Sequence, residues 1–253
     1  MKTAIIIPAR YASTRLPGKP LLRQTGKYLV QHVYERACQS QRADLVVVAT
    51  DDPRIVAAVE SFGGQAVRTH RDHPSGTDRV AEVAGQIDAD LIVNLQGDEP
   101  LVDPAALDLL FDLLVEHPDV DMATLATPLR SREQWQDPNC VKVVRDACGR
   151  ALYFSRSPIP YVRDGRPDFT LRPARFLLHL GLYAYRRSFL MRLAALPPEP
   201  LEQLEKLEQL RVLALGHPIQ VGVVEQSGCG VDTYEDYERF VEAYRHSPTV
   251  HAA

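Results

Sequence analysis

The sequence lacks the features of several protein classes. Its four cysteines, Cys38, Cys140, Cys148 and Cys229, are widely spaced, with no C-x-x-C pair and no cysteine–histidine spacing typical of a zinc site. No stretch approaches the roughly 20 apolar residues of a membrane span, and the first apolar run ends at Pro8, too early for a signal peptide. We therefore expect a soluble, cytoplasmic protein with no membrane association, whose cysteines are reduced thiols.

The sequence also lacks an excess of basic charge. Lysine and arginine number 29 against 33 aspartate and glutamate, a net charge of −4, so the overall charge gives no reason to expect nucleic-acid binding. The GxGxxG and Walker patterns are absent, which disfavours the common dinucleotide and P-loop sites. Hydrophobic residues at 45% and charged residues at 25% are typical of a globular chain and exclude a disordered one.

Short apolar runs alternate with helical patterns over residues 1–127. Ala4–Ile7, Leu45–Ala49 and Leu91–Leu95 predict buried strands, and Asp52 and Asp103, each followed by proline, predict helix starts. This alternation indicates an α/β protein with a mostly parallel, Rossmann-like sheet and helices on both faces, a three-layer α/β/α arrangement.

The pattern changes after Pro128. Val141–Arg145 and Leu152–Phe154 predict a hairpin, residues 157–173 a long loop, and Pro200–Leu215 a single long helix. No linker and no internal repeat are visible. We therefore expect one domain over residues 1–253, with a smaller antiparallel insertion at residues 129–185.

A basic loop follows the first predicted strand. It carries Arg10, Arg15 and Lys19, and in a doubly wound sheet this position lies at the carboxyl edge, where ligands bind. Cations and exposed backbone N–H groups in such a loop suit a triphosphate. The alternative is a basic loop that is simply solvated.

Two aspartates are candidate metal ligands. Asp98 follows Gly97 at the end of the strongest predicted strand, where a glycine permits close approach of a ligand or of another chain segment. Because Asp103 is the better candidate for the cap of the next helix, Asp98 is available for Mg²⁺, which one or two carboxylates and phosphate oxygens hold. Asp232 precedes the last helix, and its motif taken alone favours a helix cap over a metal ligand.

Other polar residues are ambiguous from the sequence alone. Ser75 and Gly76 open a predicted helix, whose N–H groups could bind a base or a phosphate, although an ordinary helix start explains them as well. A lone histidine in a strand, such as His179, is more often structural than catalytic. Glu205, Lys206, Glu208 and Gln209 are expected by default to form a solvated helix face.

Taken in order, eight segments resemble the 3-deoxy-manno-octulosonate cytidylyltransferase (CMP-Kdo synthetase) family: IPARYASTRLPGKPL, ATDD, HPSGTDR, VNLQGDEP, ALYFSRSPIP, HLGLYAYR, LEKLEQLR and GVDTYED. The resemblance covers about residues 3–240. It implies a nucleotide-diphospho-sugar transferase-like fold and the transfer of CMP from CTP to 3-deoxy-D-manno-octulosonate (Kdo), an acidic sugar of lipopolysaccharide. It also implies Mg²⁺ as cofactor, release of pyrophosphate, and a homodimer formed through the smaller region.

The resemblance further implies roles for individual residues. The catalytic residues are Arg10, Arg15, Lys19 and Asp98. The nucleotide is bound by those three cations together with Ser75, Gly76, Arg79 and Gly97. Magnesium is held by Asp98 and Asp232. The sugar acid is bound by Gln96, Arg156, His179, Tyr183, Glu208 and Gln209, with the arginine on its carboxylate.

Two departures from the family pattern and two alternative functions stand beside this interpretation. Tyr234 occupies a position where proline is expected, and the loop at residues 161–175 does not align with the family. The alternatives are the same transfer to another acidic sugar, 8-amino-Kdo or sialate, and a nucleotide-binding module without catalysis. The presence of Arg10, Lys19, Asp98 and Asp232 argues against the module.

Overall fold

The computed structural model describes residues 1–12, 16–225, 228 and 230–246. Within this part of the chain, two compact units form: the first contains residues 1–108 and 228–246, and the second contains residues 109–225. The boundary falls inside helix α4 (Pro104–Glu116), which explains why the sequence shows no linker there. The predicted insertion, residues 129–185, lies within the second unit, which extends beyond it at both ends.

The first unit is built on four parallel strands in the order β3-β2-β1-β4. Ile5 of β1 lies opposite Val46 on one side and opposite Val93 on the other. All six residues of β1 are buried, as expected for a parallel strand covered on both faces. The predicted α/β fold with a mostly parallel sheet is thus confirmed. The strands are β1 (Thr3–Pro8), β2 (Leu45–Thr50), β3 (Ala66–Arg68) and β4 (Leu91–Asn94).

Three helices of the first unit begin at side-chain caps. The side chain of Asp52 accepts a hydrogen bond from Arg54 N, Asp103 Oδ1 accepts one from Ala105 N at 3.0 Å, and Ser75 forms a capping box with Asp78. Besides the start of α4, the helices are α1 (Leu29–Ala37), α2 (Pro53–Ser61), α3 (Gly76–Gln86) and the C-terminal α9 (Tyr234–His246), with a 3₁₀ turn at Lys19–Leu21.

Helix α9 is anchored by aromatic packing. Tyr237, Phe240 and Tyr244 are buried in one cluster with Leu29 of α1 and Val231. The hydroxyl of Tyr237 accepts a hydrogen bond from the backbone N–H of Gln24 at 2.7 Å. These contacts fix the start of α9 next to the segment that follows the basic loop.

The second unit contains the antiparallel part of the fold. Strand β5 pairs in parallel with β9 and antiparallel with β8, and β6 pairs antiparallel with both β7 and β8. The predicted hairpin is confirmed as β6–β7, with Gly149 at φ +81° in its turn. The strands are β5 (Met122–Pro128), β6 (Lys142–Arg145), β7 (Ala151–Ser155), β8 (Leu177–Arg186) and β9 (Ile219–Val223).

Helices of the second unit depart from the prediction. The single helix expected over Pro200–Leu215 is wrong: the structure has α7 (Pro200–Glu205) and α8 (Gln209–Ala214), with Lys206 between them at φ 53°. The sequence contains no glycine or proline at this break. Two further helices were not predicted, α5 (Arg132–Gln136) and α6 (Arg187–Ala194), and the latter follows β8 directly.

The predicted long loop at residues 157–173 is confirmed, since it contains no helix or strand. Phe169 and Val162 pack against a cluster formed by Leu129, Trp135 and Phe176. The indole N–H of Trp135 also donates to the carbonyl of Ile159 at 3.1 Å. The loop is therefore tied to its own unit by apolar contacts and not only by its ends.

Cys38, Cys140 and Cys148 are free thiols, and Cys229 lies outside the described residues. In the portion of the chain that the structure describes, none of the helices combines the length and the apolar character that a membrane span needs.

Candidate active site

Two carboxylates and one ammonium group meet in the first unit. Lys19 Nζ lies 2.6 Å from Oδ2 of Asp98 and 3.5 Å from Oδ1 of Asp232, and it donates to the carbonyl of Val231 at 2.8 Å. Asp98 follows β4, whereas Asp232 precedes α9. The fold thus brings three of the predicted site residues together around one cationic centre.

Close backbone contacts produce this meeting. The backbone N–H of Val231 donates to the carbonyl of Asp98 at 2.8 Å. A Cβ atom on Gly97 would lie 2.8 Å from the carbonyl oxygen of Pro8, and one on Gly228 would lie 2.8 Å from that of Leu101. The close approach predicted at Gly97 is therefore an approach of the chain itself, which leaves no space for a side chain.

The interpretation of Asp232 as the cap of the last helix is wrong. Thr233 takes that position: its hydroxyl oxygen accepts a hydrogen bond from Asp236 N at 3.2 Å, and Asp236 Oδ2 accepts one from Thr233 N at 2.8 Å. The threonine hydroxyl stands one residue nearer to the helix and completes a reciprocal pair. The carboxylate of Asp232 is thereby left to face Lys19.

The donor set fits a magnesium ion. The ammonium of Lys19 shows that Asp98 and Asp232 both reach a single cation. Across residues 1–12, 16–225, 228 and 230–246, no group of three or more His, Cys, Asp or Glu residues could hold a metal ion. Two carboxylates suffice for Mg²⁺ when phosphate oxygens and water complete its shell.

Arg10 carries a buried donor without an acceptor. Its Nη2 atom is shielded from solvent and has no hydrogen-bond partner among the described residues. Leaving a buried charged donor unpaired is costly, and an anionic oxygen would supply the missing acceptor. Arg15, predicted beside it, lies outside the described residues.

Arg79 and Ser75 make contacts that serve the fold. Arg79 is 1% exposed; its Nη2 lies 3.0 Å from Asp51 Oδ1, its Nη1 bonds to the hydroxyl of Thr69, and burial lowers the pKa of its guanidinium. Ser75 donates to Asp78 Oδ2 at 2.7 Å within the capping box. Their predicted contact with the nucleotide stays a prediction, as does that of Gly76.

In the second unit, His179 is buried as a neutral imidazole. Its Nε2 atom lies 2.9 Å from the hydroxyl of Thr124, which itself donates to the carbonyl of Leu182 at 2.7 Å. The single hydroxyl proton is used in that second bond, so the imidazole donates through Nε2–H and Nδ1 is an acceptor. Burial lowers the pKa of His179 to about 3.

Tyr183 and Gln209 form a second neutral pair. The phenol of Tyr183 donates to Oε1 of Gln209 at 3.1 Å, and burial raises the pKa of this tyrosine. Gln209 is 2% exposed, yet its Nε2 has no partner among the described residues. A buried amide donor of this kind could donate to a hydroxyl or carboxylate oxygen of a ligand.

The guanidinium of Arg156 contacts the backbone. It donates to the carbonyls of Glu205 at 2.7 Å, Pro138 at 2.9 Å and Lys206 at 3.4 Å. These bonds use three of its five N–H donors, and two remain. Its predicted contact with a sugar carboxylate stays a prediction.

The residues predicted for the sugar acid are divided between the two units. Gln96 belongs to the first unit, where its Nε2 donates weakly to Asn94 Oδ1 at 3.4 Å. Arg156, His179, Tyr183 and Gln209 belong to the second unit, as does Glu208, which is exposed at the start of α8.

Comparisons with known proteins identify the family of this chain. A cytidylyltransferase family model matches residues 4–219. The chain is 52% identical to 3-deoxy-manno-octulosonate cytidylyltransferase of Syntrophotalea carbinolica over 96% of its own length and 98% of that protein's, and 51% identical to the enzyme of that name from Rhodopirellula baltica, with 95% and 97% covered. This chain belongs to the 3-deoxy-manno-octulosonate cytidylyltransferase family.

A solved structure is also similar to this family member. The structure is that of CMP:2-keto-3-deoxy-manno-octonic acid synthetase complexed with CTP, and it matches with a TM-score of 0.90 at 46% identity, covering 97% of this chain and 99% of the other. A cytidylyltransferase from Leptospira borgpetersenii shares the fold at a TM-score of 0.65 and 22% identity.

Glu99 is a residue of this cytidylyltransferase-family site to which the sequence analysis gave no role. Burial, together with the neighbouring charges of Asp98 and Asp232, raises its pKa to about 8, so its carboxyl group is mostly protonated at pH 7. The side chain packs against Gly230, where a Cβ atom would lie 3.0 Å from Glu99 Oε1. The sequence signal for Glu99 was its place directly after Asp98, as the second of two consecutive acids after β4. Its burial depends on the fold and could not be predicted from that signal.

The expectation of a solvated helix face at residues 205–209 is wrong for two of its four members. Lys206 and Glu208 are exposed, as expected. Gln209 is buried, and Glu205 accepts hydrogen bonds from Ser155 Oγ and Arg156 N. Glu205 and Gln209 are four residues apart and lie on either side of the break between α7 and α8.

Proposed function

We propose that this chain transfers CMP from CTP to Kdo, giving CMP-Kdo and pyrophosphate, and so activates Kdo for lipopolysaccharide biosynthesis. The observation that carries the proposal is the convergence of Asp98 and Asp232 on Lys19, together with the buried Nη2 atom of Arg10, which has no hydrogen-bond partner among the described residues. Such a set suits a triphosphate with a divalent cation. The names of the relatives, which are cytidylyltransferases of this sugar acid, support the choice of CTP and Kdo.

In this proposal the first unit binds the nucleotide. Asp98 and Asp232 would hold Mg²⁺, which when bound neutralises phosphate charge and acts as a Lewis acid. Arg10 and Lys19, with Arg15, bind the triphosphate and offset the charge that develops on its oxygens. No covalent intermediate is needed: the anomeric hydroxyl of the sugar attacks the α-phosphorus in line, and the bond to pyrophosphate breaks.

The second unit would recognise the hydroxyls of the sugar acid through neutral groups and its carboxylate through Arg156. His179 presents a neutral imidazole, and Gln209 presents a buried amide donor. Both suit sugar hydroxyls, while the two remaining donors of Arg156 suit a carboxylate. We also propose that the protein acts in the cytoplasm as a homodimer; the homodimer rests on the family resemblance.

Pyrophosphate release tests this function. We would incubate the protein with Mg²⁺, each nucleoside triphosphate, and Kdo, 8-amino-Kdo or sialate. The expected result is release with CTP plus Kdo and loss of release when EDTA removes the metal. If another sugar acid and not Kdo gives release, that acid is the substrate. Absence of release with every pair would favour the non-catalytic module.

A further inference from the structure

A fully buried lysine supports the backbone of the second unit. Lys142 is 0% exposed, and its ammonium donates to the carbonyls of Asp137 at 2.8 Å, Cys140 at 2.5 Å and Arg156 at 2.6 Å. The three N–H donors of the side chain are matched by three carbonyl oxygens. Because a buried charge is costly without such partners, this arrangement holds the three carbonyls in fixed positions.

Glu205 holds the same segment from the other side. Its Oε1 accepts from Ser155 Oγ at 2.7 Å, and its Oε2 accepts from the backbone N–H of Arg156 at 2.9 Å. Nε of Arg156 donates in return to the carbonyl of Glu205. The two residues are thus joined through the side chain of each and the backbone of the other.

Arg156 also holds the break between α7 and α8. Its Nη2 donates to the carbonyl of Lys206 at 3.4 Å. Among the described residues, Lys206 is the non-glycine residue with a positive φ, of 53°. A lysine in the left-handed region persists only where surrounding contacts determine it. The bonds from Arg156 to the carbonyls of Glu205 and Lys206 are such contacts.

The position of the break sets the position of Gln209. Helix α8 starts at Gln209, three residues after Lys206, and the side chain of Gln209 meets the phenol of Tyr183. A change in the backbone at Lys206 would rotate the first turn of α8 and move this amide.

We propose that Lys142 and Glu205 are positioning residues of the sugar-acid pocket, which hold Arg156 and the Lys206 turn and thereby place Gln209. Neither side chain needs to touch the substrate. The inference rests on the proposed function for the identity of the sugar acid.

Steady-state kinetics of Glu205→Gln provide the first test, with Lys142→Met as a second variant. The amide keeps the shape of Glu205 but loses the charge-assisted bonds, so we expect KM for Kdo to rise about tenfold or more, while KM for CTP changes by less than about twofold. Glu225→Gln is the matched control, since the side chain of Glu225 forms an exposed ion pair with Arg130. The control should leave both KM values unchanged.

A pair of substitutions at Lys206 separates positioning from general stability. Lys206→Gly can keep the left-handed conformation and should retain the wild-type KM for Kdo. Lys206→Val disfavours that conformation and should raise KM for Kdo as Glu205→Gln does, again without a matching change for CTP. Equal effects of glycine and valine would contradict the proposal.

Hydrogen exchange of the substrate-free protein gives a readout that needs no turnover. Amides of residues 206–210 should exchange faster in Glu205→Gln than in the wild type, and at the wild-type rate in Glu225→Gln. If the wild type releases no pyrophosphate from CTP and Kdo, the proposed function is wrong, and the exchange rates still decide the positioning role. Unchanged exchange, or an equal rise of both KM values, would overturn that role.

Discussion

The two units carry opposite kinds of polar chemistry. The first unit gathers charges at a partly open position, where the side chains of Lys19, Asp98 and Asp232 are 12%, 27% and 51% exposed. The second unit gathers neutral hydrogen-bonding groups at a buried position, where His179 and Gln209 are 8% and 2% exposed, and adds Arg156 as the cation proposed for the carboxylate.

The difference matches the ligands that each unit is proposed to bind. Charged groups that keep contact with water can take up and release a metal ion and phosphates without a large desolvation cost. Buried neutral donors and acceptors discriminate hydroxyl groups, because an unmade hydrogen bond in a dry site costs about 1–3 kcal/mol. Substitutions in the two units should therefore have distinguishable consequences.

The largest expected effect is that of Asp98→Asn. The substitution keeps the shape of the side chain but removes one of the two carboxylates that face Lys19. We expect kcat to fall by about 10²–10³-fold, the size of effect that loss of one electrostatic group at a reacting centre produces. Pyrophosphate release measures the rate, and the melting temperature checks that the fold is intact.

Asp103→Asn is the matched control for this prediction. Asp103 caps α4, and asparagine caps helices about as well as aspartate. Turnover of this variant should be close to that of the wild type. Near-normal turnover of Asp98→Asn at saturating Mg²⁺ would show that the charge of Asp98 is not needed for the reaction.

A smaller effect, on stability, is expected for Gly97→Ala. The added methyl group would lie 2.8 Å from the carbonyl oxygen of Pro8, so the backbone must shift, at a cost of about 1–3 kcal/mol in the free energy of unfolding. In Gly76→Ala the methyl group would lie 3.7 Å from Pro8 Cγ, an ordinary contact, and stability should not fall. Urea unfolding of both variants measures the difference; equal losses would show that the close approach at Gly97 is unimportant.

A further effect on stability concerns pH, and here the two units should agree. Burial lowers the pKa of His32 in the first unit to about 4 and that of His179 in the second to about 3, against 6.5 when exposed. Below pH 6.5 the unfolded state takes up protons that the folded state does not. The stability linked to each histidine is therefore complete above pH 6.5 and is lost as the pH falls towards its folded pKa, by at most about 1.4 kcal/mol per pH unit.

His32→Gln isolates one of these contributions. Because all other titrating groups are shared, the difference in unfolding free energy between wild type and variant should shrink as the pH is lowered from 7 to 5. Urea titrations at pH 5, 6 and 7 measure it. A difference that stays constant over this range would contradict a neutral, buried His32.

The first unit was the more predictable from sequence, for a physical reason. Its site residues follow strand ends, and the carboxyl ends of parallel strands meet at one edge, so Lys19 and Asp98 could be expected to converge. Their distance from Asp232 depends on the packing of α9 and could not. The burial of Glu99 is likewise a product of the whole fold.

The second unit was less predictable because its key turn has no local signal. Nothing in the sequence around Lys206 interrupts a helix, and the turn is held by Arg156 from a distant strand end. Contacts between residues far apart in sequence decided the outcome here.

The contrast between the units can be measured directly with a reciprocal pair of variants, Arg10→Leu and Gln209→Leu. For each, KM would be determined for CTP and for Kdo. The account predicts that Arg10→Leu raises mainly KM for CTP and Gln209→Leu mainly KM for Kdo, each by about tenfold or more. A variant that raises both constants equally would contradict the division between a nucleotide site in the first unit and a sugar-acid site in the second.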